Sequence, residues 1–352
     1  EAALPKLLEG IATKERIAAG LLEREPWDFF MVVFGESDTV SHHFWLFHDP
    51  DSPRHRPGFD DAIQRVYVRL DEAVGRLVDA AGPDTVVGVV SDHGFGGTGT
   101  GVVHLNNWLA AHGLLSFSGG SGGGMLKRLA LRCVPERWHG TLFRKLRPLA
   151  MRAESASRCG GIDWSQTLAW SEELNYFPSI RIAPTVAPED YDAFVTDLCA
   201  KLETWDAVAH AWPRAALYDG PYLDRAPDII LDLALDTGYS RTCLRRRGGP
   251  AESDIPPEDW LGAKDHGMNG THRPEGIFFF SKRIQAHHPR IMDIAPTVLA
   301  ELGVSGPPTD GVSLSAATLD SGGNTFPQPV KPYTAEEEAI LEQRLRDLGY
   351  LE

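Results

Sequence analysis

The chain has few cysteines, and none of them are spaced to hold a metal ion or to build a disulfide framework. Four cysteines occur in 352 residues. They lie far apart and form no Cys-x-x-Cys pair: Cys133, Cys159, Cys199 and Cys243. This spacing argues against a cysteine zinc site and against a small disulfide-stabilised fold. It predicts reduced thiols with structural roles.

Long apolar runs and positive net charge are also missing. No apolar run reaches the roughly 18 residues that a membrane helix needs, and none resembles a secretory signal. We therefore expect no membrane insertion and a cytoplasmic protein. Lys plus Arg number 34 against 49 Asp plus Glu, so the net charge is -15. Because this charge repels nucleic-acid backbones and anionic membrane surfaces, we expect no nucleic-acid polymer as a partner.

The chain does contain enough apolar sequence for a substantial core, since 42% of its residues are hydrophobic. Helical spacing predicts amphipathic helices over residues 4–25 and 59–81. Continuous apolar runs at residues 28–34 and 85–91 predict strands buried on both faces of a parallel sheet, and the order strand, helix, strand predicts a βαβ unit. The later pattern predicts strands at residues 179–183, 228–233 and 276–281 and helices at residues 188–203, 293–302 and 334–348.

A glycine-rich tract followed by a basic stretch interrupts this pattern and predicts an insertion. We therefore expect an α/β fold in four segments. These are a first core part (1–117), a Gly-rich linker with a basic helical cap (118–160), a second core part (161–330) and a C-terminal helical tail (331–352).

Carboxylate and imidazole side chains cluster beside three of the expected strands. Asp38 and His42 follow the first strand, and their spacing of four places both on one face of a helical turn. Asp92 and His93 directly follow the second strand, and His272 lies in a loop expected just ahead of the strand at 276–281. Ligands of α/β proteins gather beyond the carboxyl ends of strands. A mixture of carboxylate and imidazole without thiolate suits Zn²⁺ or Mn²⁺.

Each pair alone has an ordinary interpretation as a solvated ion pair or a turn cap. His104, Asp265 and His266 are near enough in the chain to approach the same site. Arg273 is either a donor to a substrate phosphate or the partner of Glu275 in a salt bridge. The remaining histidines are interpreted as surface or packed residues: His43, His48, His55, His112, His139, His210, His287 and His288.

The ordered motifs resemble those of a known family. The sequences Asp38-Thr-Val-Ser-His42, Ser91-Asp-His-Gly-Phe95 and Gly270-Thr-His-Arg-Pro-Glu-Gly276 are similar to motifs of the type I phosphodiesterase and nucleotide pyrophosphatase branch of the alkaline phosphatase superfamily. Further segments resemble its predicted bacterial phosphohydrolases or phosphomutases, nearly from end to end: 162–165, 220–228, 293–297 and 348–351. The resemblance implies a mostly parallel sheet with helices on both faces and an inserted cap, lacking its first strand or strands in this chain.

The resemblance also implies two divalent metal ions, zinc in preference to manganese, and hydrolysis of a small phosphate ester. It assigns Asp38, His42 and His272 to one ion and Asp92 with His93 to the other. The family's further Asp ligand and its Thr or Ser nucleophile are expected in a segment before residue 1, which would leave the site incomplete. A phosphomutase or sulfatase of the same superfamily, and a non-catalytic metal-binding fragment, remain open alternatives.

Overall fold

The computed structural model describes residues 3–118, 161–261, 268–284 and 288–315. The chain divides into two compact units, each built from separate stretches. The first draws on residues 1–19, 32–77 and 94–275, and the second on residues 20–31, 78–93 and 276–352. Nearly all of the expected cap, the C-terminal tail, and also Asp265 and His266, lie outside the described residues. No helix in the described ranges is both long and apolar enough to cross a membrane.

Three helices begin the chain: α1 (Ala3–Arg24), α2 (Glu36–His48) and α3 (Ala62–Ala81). The predicted helices at 4–25 and 59–81 are confirmed. In the first unit the three helices share one buried apolar cluster, which includes Leu4, Ile11, Val40, Phe44, Ile63 and Val66. This cluster fixes α2, the helix that carries Asp38 and His42.

The apolar run at residues 28–34 is not the buried strand that was predicted. None of its residues pairs in a ladder within the described ranges. Phe29, Met31 and Val33 expose 51%, 71% and 69% of their surface. Hydrophobicity alone does not make a strand, because the backbone must also find a hydrogen-bonding neighbour. The βαβ prediction is therefore wrong for the described residues.

The sheet that carries the site is centred on a strand that the sequence did not predict, β2 (Gly94–Val103). It pairs in parallel with β7 (Ser240–Cys243) and antiparallel with β8 (Glu252–Asp254) and β9 (Gly270–Arg273). Five of its ten residues are glycine, which is unfavourable in most strands. Here a Cβ atom on Gly94 would overlap the backbone carbonyl of Glu275. Glycine is thus required at position 94 by the close approach of another backbone.

A second sheet in the same unit has the strand order β3-β4-β6-β5 and is antiparallel throughout its described pairs. Its strands are β3 (Ala169–Trp170), β4 (Ser179–Ile182), β5 (Val208–Pro213) and β6 (Ile229–Leu233). The larger apolar core joins these strands to α4 (Leu105–Ala111) and α5 (Tyr191–Leu202), and the short α6 (Arg214–Leu217) follows β5. The strands predicted at 179–183 and 228–233 and the helix at 188–203 are confirmed, with residues 188–190 forming a 3-10 turn.

In the second unit β1 (Gly88–Val90) pairs antiparallel with β10 (Phe278–Phe280). Both were predicted as strands, but β1 is shorter than expected and leaves Val90 exposed rather than buried. The predicted helix at 293–302 is confirmed as α7 (Ile294–Glu301). Two residues after its end lies Gly303, whose φ of 66° is the left-handed conformation typical of the residue that follows a helix.

The structure is mixed α/β, but the expectation of a mostly parallel sheet is wrong for the described residues. Among the strand pairs found there, β2 with β7 is parallel and the others are antiparallel. Parallel neighbours need crossover connections. The crossover predicted through α3 fails because residues 28–34 form no ladder.

Candidate metal centre

Three of the predicted metal ligands lie together where α2 packs against β9. Asp38 Oδ1 is 3.4 Å from His42 Nε2 and 3.5 Å from His272 Nε2. The two imidazole Nε2 atoms are 3.2 Å apart. The spacing of Asp38 and His42 within one helix is as predicted, whereas His272 lies in strand β9 and not in a loop. Its backbone is fixed in register opposite Phe95 of β2.

The hydrogen bonds of His42 prepare its Nε2 atom as a ligand. His42 is buried, and its Nδ1 lies 2.7 Å from the backbone carbonyl of Gly270. Since a carbonyl can only accept, Nδ1 carries the proton, and in the neutral ring Nε2 is the unprotonated nitrogen that can bind a metal. An Nδ1–H bond to a carbonyl is the usual support of a metal-bound histidine.

The spacing of the three donor atoms fits a tetrahedral ion. Zinc binds imidazole nitrogen and carboxylate oxygen at about 2.0–2.2 Å, so neighbouring ligand atoms of a tetrahedral site are about 3.3–3.6 Å apart. The distances between Asp38, His42 and His272 span 3.2–3.5 Å. Asp38 and His272 also belong to a second group of side chains, without His42, whose ligand atoms lie within 4.8 Å of one another and could hold a metal ion.

These three side chains face a pocket of about 340 Å³, whose wall also contains Thr39, His43, Tyr176 and Met268. His43, interpreted from sequence as a surface residue, is indeed exposed, but it lines this pocket. The Thr39 hydroxyl donates to the Gly35 carbonyl at 3.0 Å.

Tyr176 is a residue of the pocket that the sequence did not reveal. Its ring stacks on His272 with centroids 5.1 Å apart, and its centroid is 5.6 Å from that of His42. Burial, and secondarily the negative charge of Asp38, raise the pKa of Tyr176, so its hydroxyl stays protonated at neutral pH. No local motif marks this tyrosine, because it reaches the histidines from a distant loop.

The Phe95 ring packs against the imidazole rings of both His42 and His272. It contacts His42 edge to face at 4.8 Å between centroids and His272 at 5.5 Å. Trp45 of α2 stacks on Phe95 in turn. These aromatic contacts restrict rotation of both imidazoles, which keeps their nitrogen atoms directed at the same point.

Asp92 and His93 follow β1 in the chain, as the sequence predicted, and precede β2. In the second unit Asp92 Oδ1 is 3.5 Å from His93 Nε2, and Asp92 is largely exposed. His93 immediately precedes Gly94, the first residue of β2, which pairs with Arg273 of β9. Their part in a second metal site stays a prediction.

Two other candidates have structural partners. His104 is buried with Nδ1 2.6 Å from the Leu244 carbonyl and Nε2 2.8 Å from the Ser253 hydroxyl, so both ring nitrogens are engaged. Burial lowers its pKa, which favours the neutral ring. Arg273 donates to the Gly238 carbonyl at 2.9 Å. Burial lowers the pKa of Arg273, although the nearby Glu275 carboxylate opposes this.

Comparison with known proteins agrees with the motifs. The family described as type I phosphodiesterase / nucleotide pyrophosphatase matches residues 3–245 of the chain, a span that includes Asp38, His42, Asp92 and His93. His272 lies beyond the matched residues. No curated protein and no solved structure shows significant similarity to the chain. By its match over most of its length, the chain belongs to the type I phosphodiesterase and nucleotide pyrophosphatase family of the alkaline phosphatase superfamily.

Proposed function

We propose that the chain is a metal-dependent phosphoric ester hydrolase, resembling a phosphodiesterase or nucleotide pyrophosphatase, that acts on a small phosphate ester. The observation that carries the proposal is the convergence of Asp38 Oδ1, His42 Nε2 and His272 Nε2 within 3.5 Å of one another. Family membership supplies the class of reaction. The site geometry supplies the reason for metal dependence.

Asp38, His42 and His272 would hold one divalent ion, zinc in preference to manganese, and Asp92 with His93 would contribute to a second. Such ions, when bound, stabilise the charge that develops on a phosphoryl group during displacement. Asp38 supplies the negative charge that favours a cation. His42 is oriented by Gly270.

The bound metal ions would also attract the negatively charged substrate to an acidic protein. With a net charge of -15, the protein repels a phosphate ester at long range, and local positive charge must attract it. We further propose that none of the motifs recognised in this chain contains the Thr or Ser nucleophile of the family. We therefore expect turnover by this chain to be slow.

Metal analysis of protein purified without chelator tests the proposal. We expect bound zinc or manganese in the wild type and its loss in the double variant Asp38→Ala, His272→Ala. A matched control is Asp197→Ala, His210→Ala, which removes the same two side-chain types from exposed positions on α5 and β5. Absence of bound metal in the wild type, or an equal content in both double variants, would overturn the proposal.

Hydrolysis assays with a chromogenic phosphodiester and a chromogenic phosphomonoester complete the test. We expect slow, metal-dependent release of product that disappears in the Asp38→Ala, His272→Ala variant and persists in the control variant. A chain that binds the metal stoichiometrically and yet hydrolyses neither ester would instead be a non-catalytic metal-binding protein.

A further inference from the structure

A buried and strained glutamate lies in the loop that carries Tyr176. Residues 171–177, here called the Tyr176 loop, connect β3 with β4. Glu173 is 6% exposed, and its φ of 52° lies in the left-handed region. A residue with a side chain is strained in this conformation and persists there only when its surroundings hold it.

The surroundings of Glu173 hold it through two elements of the first unit. Glu173 Oε1 accepts a hydrogen bond from the Asn106 backbone N–H at 3.1 Å, at the start of α4. The Asn106 side-chain amide donates to the Ser171 carbonyl and accepts from the Ser171 backbone N–H, each at 2.8 Å. Asn175 accepts from the Cys243 N–H of β7 at 3.1 Å. Tyr176 follows directly, so these anchors set where its ring lies.

The same contacts leave the Glu173 carboxyl poorly suited to negative charge. Its Oε2 atom is buried with no hydrogen-bond partner in the described part of the chain. Burial raises the pKa of Glu173 to about 7, although Asn106, the charge of Arg245 and the Arg246 backbone N–H oppose the rise. The neighbouring Cys243 thiol is buried, and its pKa is also raised. An open loop would return the carboxylate to water and to its usual pKa.

We propose that Glu173 is a positioning residue, whose neutral form keeps the Tyr176 loop closed over the metal centre and whose ionised form favours local opening. The closed state is the one in which Tyr176 stacks on His272 and narrows the pocket. The proposal rests on the proposed function only in taking the site under the loop to be a metal centre. The opening of the loop can be measured whether or not a metal ion binds there.

Hydrogen–deuterium exchange of the full chain between pH 5 and pH 8 tests this proposal. After correction for intrinsic exchange, we expect protection of the Tyr176 loop amides to fall about tenfold per pH unit between pH 5 and pH 7, then to level off. In Glu173→Gln the side chain carries no charge, so protection should stay level. Glu172→Gln is the matched control, because Glu172 is only partly buried and pairs with Arg181 at 3.6 Å. It should follow the wild type.

The profile of the wild type alone can refute the proposal, which matters should Glu173→Gln fail to fold. A flat or rising protection between pH 5 and pH 7 would contradict it. So would loop amides that are as well protected as those of β6, because both would then exchange only through global unfolding. If the chain hydrolyses phosphodiesters, the KM of the wild type should rise over this pH range and that of Glu173→Gln should not. A chain without activity would refute the proposed function and leave the exchange result intact.

Discussion

Replacing Gly270 by alanine tests whether the packing of β9 against α2 positions the metal ligands. A Cβ atom at this position would overlap the carbonyl oxygen of Ser41, and it would lie 3.1 Å from the Ser41 carbonyl carbon. Ser41 is buried in the middle of α2, so this backbone cannot rotate away. Overpacking of this kind costs about 1–3 kcal/mol. Displacing the Gly270 carbonyl from His42 Nδ1 would remove a hydrogen bond worth about 1 kcal/mol.

We therefore expect Gly270→Ala to lower the free energy of unfolding of the metal-free protein by about 2–4 kcal/mol. Zinc affinity should fall by about 10–100-fold, the usual cost of losing a partner that orients a ligand. Urea unfolding in chelator measures the first effect, and competition with a zinc indicator measures the second.

Gly75→Ala is the matched control for this substitution. Gly75 lies inside α3, and no atom lies within 4 Å of a Cβ placed there. Alanine should therefore stabilise α3 by about 0.5–1 kcal/mol and leave zinc affinity unchanged. If Gly270→Ala proved as stable as the wild type and bound zinc as tightly, the packing argument would fail.

Three further results are expected. Because burial raises the pKa of Glu173 from 4.5 to about 7, its contribution to stability is fully present below pH 4.5 and is lost as the pH rises through 7. In Glu173→Gln this loss of about 3 kcal/mol in the free energy of unfolding should not occur. Urea unfolding of both proteins at several pH values measures it, and the same pH dependence in both would disprove the reasoning. Tyr191→Phe removes a hydrogen bond of 2.5 Å to the buried Asp228 and should cost about 2 kcal/mol in the same assay. Zinc at about 100 times its Kd should stabilise the wild type by about 2.7 kcal/mol over protein in chelator, and Asp38→Ala should show no such difference.

The sequence predicted best those features that depend on local spacing. Asp38 and His42 were placed on one helix face because four residues make about one turn, and α2 confirms that placement. The amphipathic pattern of α3 likewise needs no knowledge of its partners. In these cases the information lies within a few residues of the chain.

The sequence failed where a segment is shaped by another segment distant in the chain. The glycines of β2 look like a loop, yet Gly94 is required because the backbone at Glu275 approaches it closely, and Gly97 because the Trp45 and Tyr239 side chains do. Residues 28–34 have the composition of a buried strand, but composition cannot show whether a neighbouring strand is available. Tyr176 was missed for the same reason, since only the fold brings it onto His272.

The contact between His42 and Gly270 joins packing to chemistry. Its two residues are 228 positions apart in the chain, and it links the helix bearing Asp38 to the strand bearing His272. A metal ion at this site would bind α2 and β9 together, because its ligands come from both. The free energy of metal binding and the free energy of docking β9 on α2 are then thermodynamically linked. It follows that a substitution which loosens β9 must weaken metal binding, even when it leaves all three ligands in place.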